Sequence, residues 1–176
     1  MRFGYLGRLD STKGLRVLAQ AVTAIPREIP FELRILGPQL DDAARQFVED
    51  LKAAIGDDPR VRFAPAVPAI DVPSVLAGLD VLLCPSVTFE NGPTVALEAM
   101  AVGTPIIASR VGNLAEIVVD SVSGRLVPAG DADALAKALI EAAVSPSTTI
   151  DRWRRALPPA RTMDDIARDY LALYAA

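Results

Sequence analysis

Short apolar runs alternate with longer amphipathic segments along this chain of 176 residues. The short runs predict buried strands at 3–7, 31–36, 60–64, 79–84, 105–108 and 125–127. Between them, apolar residues recur at the spacing of helices that bury one face, and these helices are predicted at 15–25, 42–55, 72–78, 93–102, 112–119 and 131–144. Two further helical stretches, near 149–155 and 162–174, end the chain.

Alternating strands and helices predict an α/β fold, in which a parallel sheet of about six strands carries helices on both faces. We expect a Rossmann-like, doubly wound sheet with the strand order 3-2-1-4-5-6. Ligands of such sheets bind beyond the carboxyl ends of the strands, at the switch point between the first and fourth strands. The loops that follow these strands, 7–14 and 86–93, are therefore predicted to form one site.

The end of the chain is predicted to extend a single domain that spans residues 1–176. A stretch rich in Pro, Ser, Thr and Arg, residues 143–161, is expected to connect the domain to a helical extension at about 149–176. The last helix carries an apolar stripe at helical spacing, formed by Met163, Ile166, Ala167, Tyr170, Leu171 and Tyr174. Such a stripe needs cover, and the candidates are another domain or a second copy of the chain in a homo-oligomer.

Composition excludes several classes of partner. A net charge of −4 and an isoelectric point of about 4.9 argue against a nucleic-acid surface. The chain has no histidine and one cysteine, so the commonest metal ligand is missing, and we expect neither a metal site nor another cofactor. Asp131 and Asp133 open an Ala-rich and Leu-rich helix, so they are predicted to cap it instead of binding a metal.

Hydropathy indicates a soluble, cytoplasmic protein. No apolar run approaches the roughly 20 residues of a membrane span. Met1 is not followed by the pattern of a signal peptide. Cys84 ends an apolar strand, so it is predicted to be a small buried hydrophobe.

The stretch 85–105 holds two carboxylates, Glu90 and Glu98, with seven residues between them. Pro93 suits the first turn of a helix, since it needs no amide donor there, so Glu90 lies in the preceding loop and Glu98 in the helix. Two helical turns rise only about 8–11 Å, so both acids can reach one ligand at the helix N-terminus. That end also favours anionic or oxygen-rich groups. Solvated helical glutamates are the alternative that the acids alone leave open.

The order E-N-G-P-T-V-A-L-E-A-M-A-V-G-T-P-I-I-A-S resembles the E-x7-E signature of retaining glycosyltransferases with the GT-B fold, of the group 1 or family 4 type. That large family includes sucrose synthases, glycogen synthases and bacterial mannosyltransferases. The resemblance covers essentially the whole chain, but only the C-terminal, donor-binding half of such an enzyme. It implies a partner in an N-terminal GT-B domain, which normally carries much of the acceptor site.

The resemblance implies a nucleoside-diphosphate sugar as ligand. Arg8 and Lys13 would bind its pyrophosphate and, with Glu90 beside the transferred sugar, form the catalytic set; surface charges are the alternative reading of the two cations. Such cations stabilise a leaving phosphate without a metal. Glu98 would accept hydrogen bonds from the ribose hydroxyls, since an ionised carboxylate suits a diol. The other implied binding residues face the nucleotide or sugar: Gly7, Gly37, Asn91, Gly92, Pro93, Thr94 and Val95.

Two positions depart from the family pattern. Gly92 stands where a large apolar residue is frequent, and Asn113 stands where a second glycine often follows Gly112. These departures leave the sugar preference open.

The expected function is therefore transfer of a hexose from a nucleotide sugar to an unknown acceptor, with no activity in the absence of the N-terminal domain. One alternative is a non-catalytic nucleotide-binding or interaction module. Another is half of a different GT-B enzyme, such as a nucleotide-sugar epimerase. For the full enzyme, the resemblance is also compatible with peripheral association at the inner face of the membrane.

Overall fold

A six-stranded parallel sheet lies at the centre of the computed structural model, which describes residues 1–144 and 146–175. Its strands are β1 (Arg2–Leu6), β2 (Glu32–Leu36), β3 (Val61–Ala64), β4 (Val81–Cys84), β5 (Ile106–Ser109) and β6 (Gly124–Val127). They pair in the order β3-β2-β1-β4-β5-β6. The predicted α/β fold and strand order are confirmed, and β1, which pairs with both β2 and β4, marks the switch point.

Eight helices connect or follow these strands in the described part of the chain. They are α1 (Leu15–Ala24), α2 (Asp42–Ile55), α3 (Val72–Ala77), α4 (Thr94–Ala101), α5 (Leu114–Ile117), α6 (Ala132–Val144), α7 (Pro146–Arg155) and α8 (Met163–Tyr174). The helix predicted at 112–119 is shorter than expected, because Val118 is already extended. None of the described helices combines the length and the apolar character that crossing a membrane requires.

Helices cover both faces of the sheet, as the apolar strands predicted. Successive strand side chains point to opposite faces, so Val81 and Leu83 join one buried cluster and Leu82 and Cys84 join the other. The first cluster includes side chains of α1, α2 and α6, and the second includes side chains of α3, α4 and α5. All four residues of β4 are buried, as expected for a central parallel strand.

The predicted connection at 143–161 is partly a helix that belongs to the core. α7 begins at Pro146, earlier than the predicted 149, and its side chains Ile150 and Trp153 are buried in the first cluster. Their spacing of three residues places both on one face of the helix. Ser145, in the same stretch, lies outside the described residues.

The terminal helix α8 has no buried residue in the described structure. It begins with a capping box, in which Thr162 and Asp165 exchange hydrogen bonds. The tyrosines of its apolar stripe, Tyr170 and Tyr174, are 59% and 85% exposed. The predicted stripe is therefore present and uncovered.

Asp131 caps α6, as its position predicted, whereas Asp133 lies inside the first turn of the helix. Asp131 Oδ1 accepts a hydrogen bond from the Ala134 amide at 2.8 Å. The Leu135 amide also donates to the Asp131 carbonyl oxygen, at 3.1 Å. Both contacts satisfy amides of the first helical turn, which is the function of an N-cap.

Candidate functional site

The loops after β1 and β4 pack directly against each other at the carboxyl end of the sheet. Gly14 has a φ of +72°, and a Cβ at this position would lie 1.8 Å from the Pro85 carbonyl oxygen. Only glycine tolerates both the conformation and the close approach. The Val87 amide donates to the Thr12 carbonyl oxygen at 3.0 Å. The predicted meeting of these two loops is therefore confirmed.

An ion pair between Lys13 and Glu90 joins the two loops through their side chains. Lys13 Nζ lies 2.7 Å from Glu90 Oε1, and the Lys13 and Glu90 side chains are 25% and 13% exposed. The Ser86 hydroxyl donates to the same oxygen at 2.5 Å. Glu90 Oε2 accepts no hydrogen bond from the residues that the structure describes. One carboxylate oxygen is thus anchored, and the other is available to a ligand.

A cavity of about 120 Å³ opens beside this ion pair, in front of the first turn of α4. The Val95 amide, which points out of that turn, has no acceptor within the described part of the chain. Of the residues predicted to bind the ligand, those that line this cavity are Gly7, Lys13, Glu90, Gly92, Pro93, Thr94 and Val95.

A second cavity, of about 220 Å³, adjoins the first, since Leu6, Gly7 and Val95 line both. Gly37 and Glu98 also line the second cavity. The Glu98 carboxylate is exposed and makes no ion pair or side-chain hydrogen bond with another described residue. Both cavities are smaller than the roughly 300–1,000 Å³ of typical ligand sites. The chain thus provides one shallow wall of a site.

Arg8 lies apart from the Lys13–Glu90 pair. Its guanidinium is 3.2 Å from Asp10 Oδ2, and both residues line a third cavity, of about 320 Å³. Burial opposes ionisation of Asp10, but hydrogen bonds from Thr12 and the charge of Arg8 hold the Asp10 pKa below its ordinary value. Arg8 is therefore already paired with Asp10, and it does not line the cavity that Lys13 lines.

Two buried groups, Tyr5 and Cys84, form the floor of the first cavity. Burial raises the pKa of the Tyr5 phenol well above its ordinary value, and its hydroxyl donates to the Arg8 carbonyl oxygen at 2.5 Å. Burial, with the charge of Glu90 adding to it, raises the pKa of Cys84 to about 12. Both groups are therefore neutral near pH 7. Cys84 is the buried apolar group that the sequence predicted.

Asn91 stands in the exposed loop before α4 and lines none of the three cavities. Its carbonyl oxygen accepts a hydrogen bond from Asn113 Nδ2 at 2.5 Å. Among residues 1–144 and 146–175, no three Asp, Glu or Cys side chains cluster closely enough to hold a metal ion.

The sequence analysis named neither Ser86 nor Tyr5 among the binding residues, although Ser86 lies in the loop 86–93 that was predicted to form the site. That position was the available signal for Ser86, whereas the burial of its hydroxyl and its bond to Glu90 are seen only in the structure. Tyr5 gave no such signal, because it lies in an apolar strand where an aromatic residue is usually part of the core.

These features define a doubly wound α/β domain with a cavity lined by polar groups at its switch point. The family model described as Glycosyl transferases group 1 matches residues 1–144. The chain belongs to this family.

Individual relatives agree with this assignment. The chain is 39% identical to a D-inositol 3-phosphate glycosyltransferase of Corynebacterium kroppenstedtii over 132 residues, which cover 72% of this chain and 29% of that relative. The crystal structure of the Anabaena protein HepE in complex with UDP and glucose matches with a TM-score of 0.84 and 22% identity, over 99% of this chain and 48% of that chain.

A sucrose-phosphate synthase from Thermosynechococcus elongatus matches with a TM-score of 0.82 and 32% identity. That match covers 99% of this chain and 44% of the synthase. The chain thus spans less than half the length of each of these three proteins. It corresponds to a glycosyltransferase fragment with the C-terminal half of a GT-B fold.

Proposed function

We propose that this chain is the donor-binding half of a retaining glycosyltransferase, which binds a nucleoside-diphosphate sugar and presents its hexose to an acceptor held by a second domain. The observation that carries the proposal is the Lys13–Glu90 ion pair, in which one carboxylate oxygen and two ammonium hydrogens have no partner among the described residues. It lies at the switch point and in front of α4, where an oxygen-rich anionic ligand is favoured.

Lys13 is suited to bind the diphosphate. Its ammonium group has three donors, and one of them meets Glu90. The Val95 amide adds a neutral donor at the positive end of α4. Cleavage of the sugar–phosphate bond places negative charge on the leaving oxygens, and donors already in position stabilise that charge without reorganisation. Lys13 is thus both a binding and a catalytic group in this proposal.

Glu90 and Glu98 divide the polar contacts of the donor between the two cavities. Glu90 lines the smaller cavity, and its Oε2, which has no partner among the described residues, can accept a hydrogen bond from a sugar hydroxyl there. Glu98 lines the adjoining cavity without a side-chain partner, so its carboxylate can accept from both hydroxyls of a ribose. The shared wall at Gly7 and Val95 allows one ligand to occupy both cavities.

Arg8 has a less direct part in this proposal. Its exposed guanidinium has to turn from Asp10 to reach a phosphate in the first cavity. A surface ion pair of this kind contributes only about 0–1 kcal/mol, so the exchange of partners costs little. We therefore retain Arg8 as a phosphate ligand that is recruited when the donor binds.

The relatives support a nucleotide sugar as the ligand class. HepE was crystallised in complex with UDP and glucose, and a second crystal structure of it contains UDP-glucose. The curated relatives are named as glycosyltransferases, one of them a phosphatidyl-myo-inositol mannosyltransferase of Mycolicibacterium smegmatis. These names differ in acceptor and sugar, so the proposal specifies the class of donor and leaves its base and sugar to experiment.

Transfer is expected to need the second domain. Reaction requires the acceptor to be held about 3–3.5 Å from the reacting carbon, and the shallow cavities of this chain offer one wall. Closure of a second domain would also remove water that screens Lys13 and competes as acceptor. The chain alone is therefore expected to bind donor without transferring sugar.

Two measurements test the proposal. Melting temperatures with UDP, GDP, ADP and their sugar derivatives should rise for one base, since a ligand that binds the folded state stabilises it by mass action. Transfer from a labelled donor should be absent for the chain alone and present when the N-terminal half of a group 1 relative is fused to it. No melting shift with any nucleotide would contradict donor binding, and rapid turnover by the chain alone would contradict the half-enzyme assignment.

A further inference from the structure

The turn between β5 and α5 grips the loop that carries Glu90. Gly112 has a φ of +49°, and a Cβ there would lie 2.4 Å from the Glu90 carbonyl oxygen, so the two backbones are in direct contact. Next to it, the Asn113 amide donates to that same oxygen at 2.9 Å. The Asn113 side chain reaches one residue further, to the Asn91 carbonyl oxygen.

Asn113 uses its side chain in an unusual way for its position. It is the N-cap residue of α5, where an asparagine oxygen ordinarily accepts from an amide of the first turn. No such bond is formed, and Nδ2 donates to Asn91 instead. The side chain thus leaves the start of its own helix uncapped and holds a separate loop.

The loop that it holds has another backbone support, the Thr94 amide, which donates to the Gly92 carbonyl oxygen at 2.8 Å. Phe89 is 73% exposed, and a Cβ at Gly92 would meet open space. Lys13 and Ser86 anchor the Glu90 side chain, which precedes the segment 91–92. Gly92 lines the cavity beside Glu90, so the path of this backbone shapes the part of the site beyond the phosphate-binding Lys13.

We infer that Asn113 is a positioning residue: by holding the Asn91 carbonyl, it sets the neighbouring backbone of Gly92, which lines the first cavity, against the transferred sugar and favours the nucleotide sugar over the bare nucleoside diphosphate. This inference rests on the proposed function. The grip on the diphosphate is assigned chiefly to Lys13, whose loop is held by the contact of Gly14 with Pro85 and by the hydrogen bond from Val87 to Thr12, so it does not depend on Asn113. Loss of the Asn113 side chain should therefore weaken the contacts to the sugar more than the contacts to the diphosphate.

Calorimetry of the whole 176-residue chain tests this inference. The probes are UDP with UDP-glucose, and GDP with GDP-mannose. N113A removes the donor, and N113D places a carboxylate against the Asn91 carbonyl; both keep the backbone amide that contacts Glu90. One hydrogen bond is worth about 0.5–1.5 kcal/mol, so N113D should weaken binding of the nucleotide sugar about three- to tenfold and change binding of the matching diphosphate less than twofold.

A matched control separates positioning from general damage to α5. A115G weakens the same short helix without touching Asn91, and it should leave the ratio of the two affinities unchanged. If N113D weakens the binding of the nucleotide sugar and of the diphosphate by the same factor, or weakens neither, the inference is overturned.

Hydrogen exchange of the ligand-free chain distinguishes a failure of this inference from a failure of the proposed function. Amides of 88–92 should exchange faster in N113A and N113D than in the wild type and A115G. If the wild type binds none of the four probes and neither ADP nor its sugar derivatives, donor binding is refuted and sugar positioning with it. If it binds them and exchange is unchanged in the Asn113 variants, only the role of Asn113 is refuted.

Discussion

Two largely buried ion pairs lie at opposite ends of the sheet, and they differ in how completely their atoms are used. Before β3, the side chains of Asp58 and Arg60 are 2% and 10% exposed, and both Asp58 oxygens accept from Arg60. The remaining Arg60 donors bind the carbonyl oxygens of Ile25, Pro26 and Ile29. Beyond β4, Lys13 and Glu90 share a single oxygen and face a cavity.

The difference separates a structural pair from the pair that we propose to bind the ligand. Charges removed from water need every hydrogen bond satisfied, and the Asp58–Arg60 pair meets that requirement within the chain. The Lys13–Glu90 pair leaves Glu90 Oε2 and two ammonium hydrogens without partners among the described residues. A pair of this second kind is suited to exchange its partner for a ligand. The predictions that follow test this distinction by changing one pair at a time.

The largest expected effect is loss of stability in Asp58→Asn. The change leaves the Arg60 charge buried without its counter-charge, and breaking a pair of this kind costs about 3 kcal/mol. Urea unfolding of the variant should show this loss. Asp57→Asn is the matched control, because Asp57 is exposed and its side chain forms no ion pair in the described structure. If the two variants are equally stable, the Asp58–Arg60 pair does not stabilise the fold as predicted.

Lys13→Ala should show the opposite pattern, with a loss of ligand affinity and a smaller loss of stability than Asp58→Asn, because Glu90 keeps its hydrogen bond from Ser86 and lines an open cavity. Hydrogen bonds to charged groups are worth about 1.5–3 kcal/mol, so binding of a nucleoside diphosphate should weaken by that amount. Arg8→Ala is expected to act in the same direction. Lys137→Ala, an exposed lysine on α6, is the control for lost charge. If calorimetry shows that folded Lys13→Ala and Arg8→Ala bind the nucleoside diphosphate as tightly as the wild type does, Lys13 and Arg8 are not phosphate ligands.

The stability contributed by Asp58 should also disappear in acid. Hydrogen bonding from the Arg60 guanidinium holds the Asp58 pKa below its ordinary value, although burial opposes this. A carboxyl group with a depressed pKa stabilises the fold above its unfolded pKa of about 3.9, and the contribution is lost as pH falls through the folded value. The gap in unfolding free energy between wild type and Asp58→Asn should therefore narrow below about pH 4, by no more than about 1.4 kcal/mol per pH unit.

Unfolding curves from pH 2 to pH 7 give this gap directly. Other carboxyl groups with lowered pKa values, including Asp10 and Asp80, affect both proteins equally and cancel in the difference. A gap that stays constant down to pH 2 would contradict an ionised Asp58 in the folded state.

The fold was predictable because its signals are local and periodic. Buried strands with apolar residues at every position, such as β4, and helices with one apolar face specify a parallel sheet covered on both sides. Topology rules then gave the strand order and brought the loops at Gly14 and Pro85 together. Ile150 and Trp153 in α7 were harder to place, since two apolar residues among polar ones are a weak helical signal.

The sequence predicted that the loops after β1 and β4 meet, and it predicted less of the side-chain geometry between them. Loop side chains follow no period, so nothing in the sequence indicated that Ser86 shares Glu90 with Lys13, or that Arg8 turns to Asp10. The contact from Asn113 to Asn91 joins residues 22 apart in the chain through the packing of two separate turns. Such contacts depend on the folded backbone.

Glu98→Gln is the smallest and most specific test, since it changes the charge of one proposed ligand contact and keeps its shape. A hydrogen bond to a charged group is worth about 1 kcal/mol more than a neutral one, and Glu98 has no side-chain partner within the described structure to lose. The variant should therefore fold as the wild type does. Its affinity for a ribonucleotide should fall about fivefold. The affinity for the 2′-deoxyribonucleotide should fall less, because this ligand lacks the 2′-hydroxyl, one of the two proposed donors of a hydrogen bond to the carboxylate. The preference for ribose over deoxyribose, measured by calorimetry with UDP and its 2′-deoxy form, must then shrink, whereas Glu49→Gln on the exposed surface of α2 should leave it unchanged. Equal losses for both nucleotides would mean that Glu98 acts through the general negative field of the site, and the open carboxylate in the second cavity would no longer be a ribose contact.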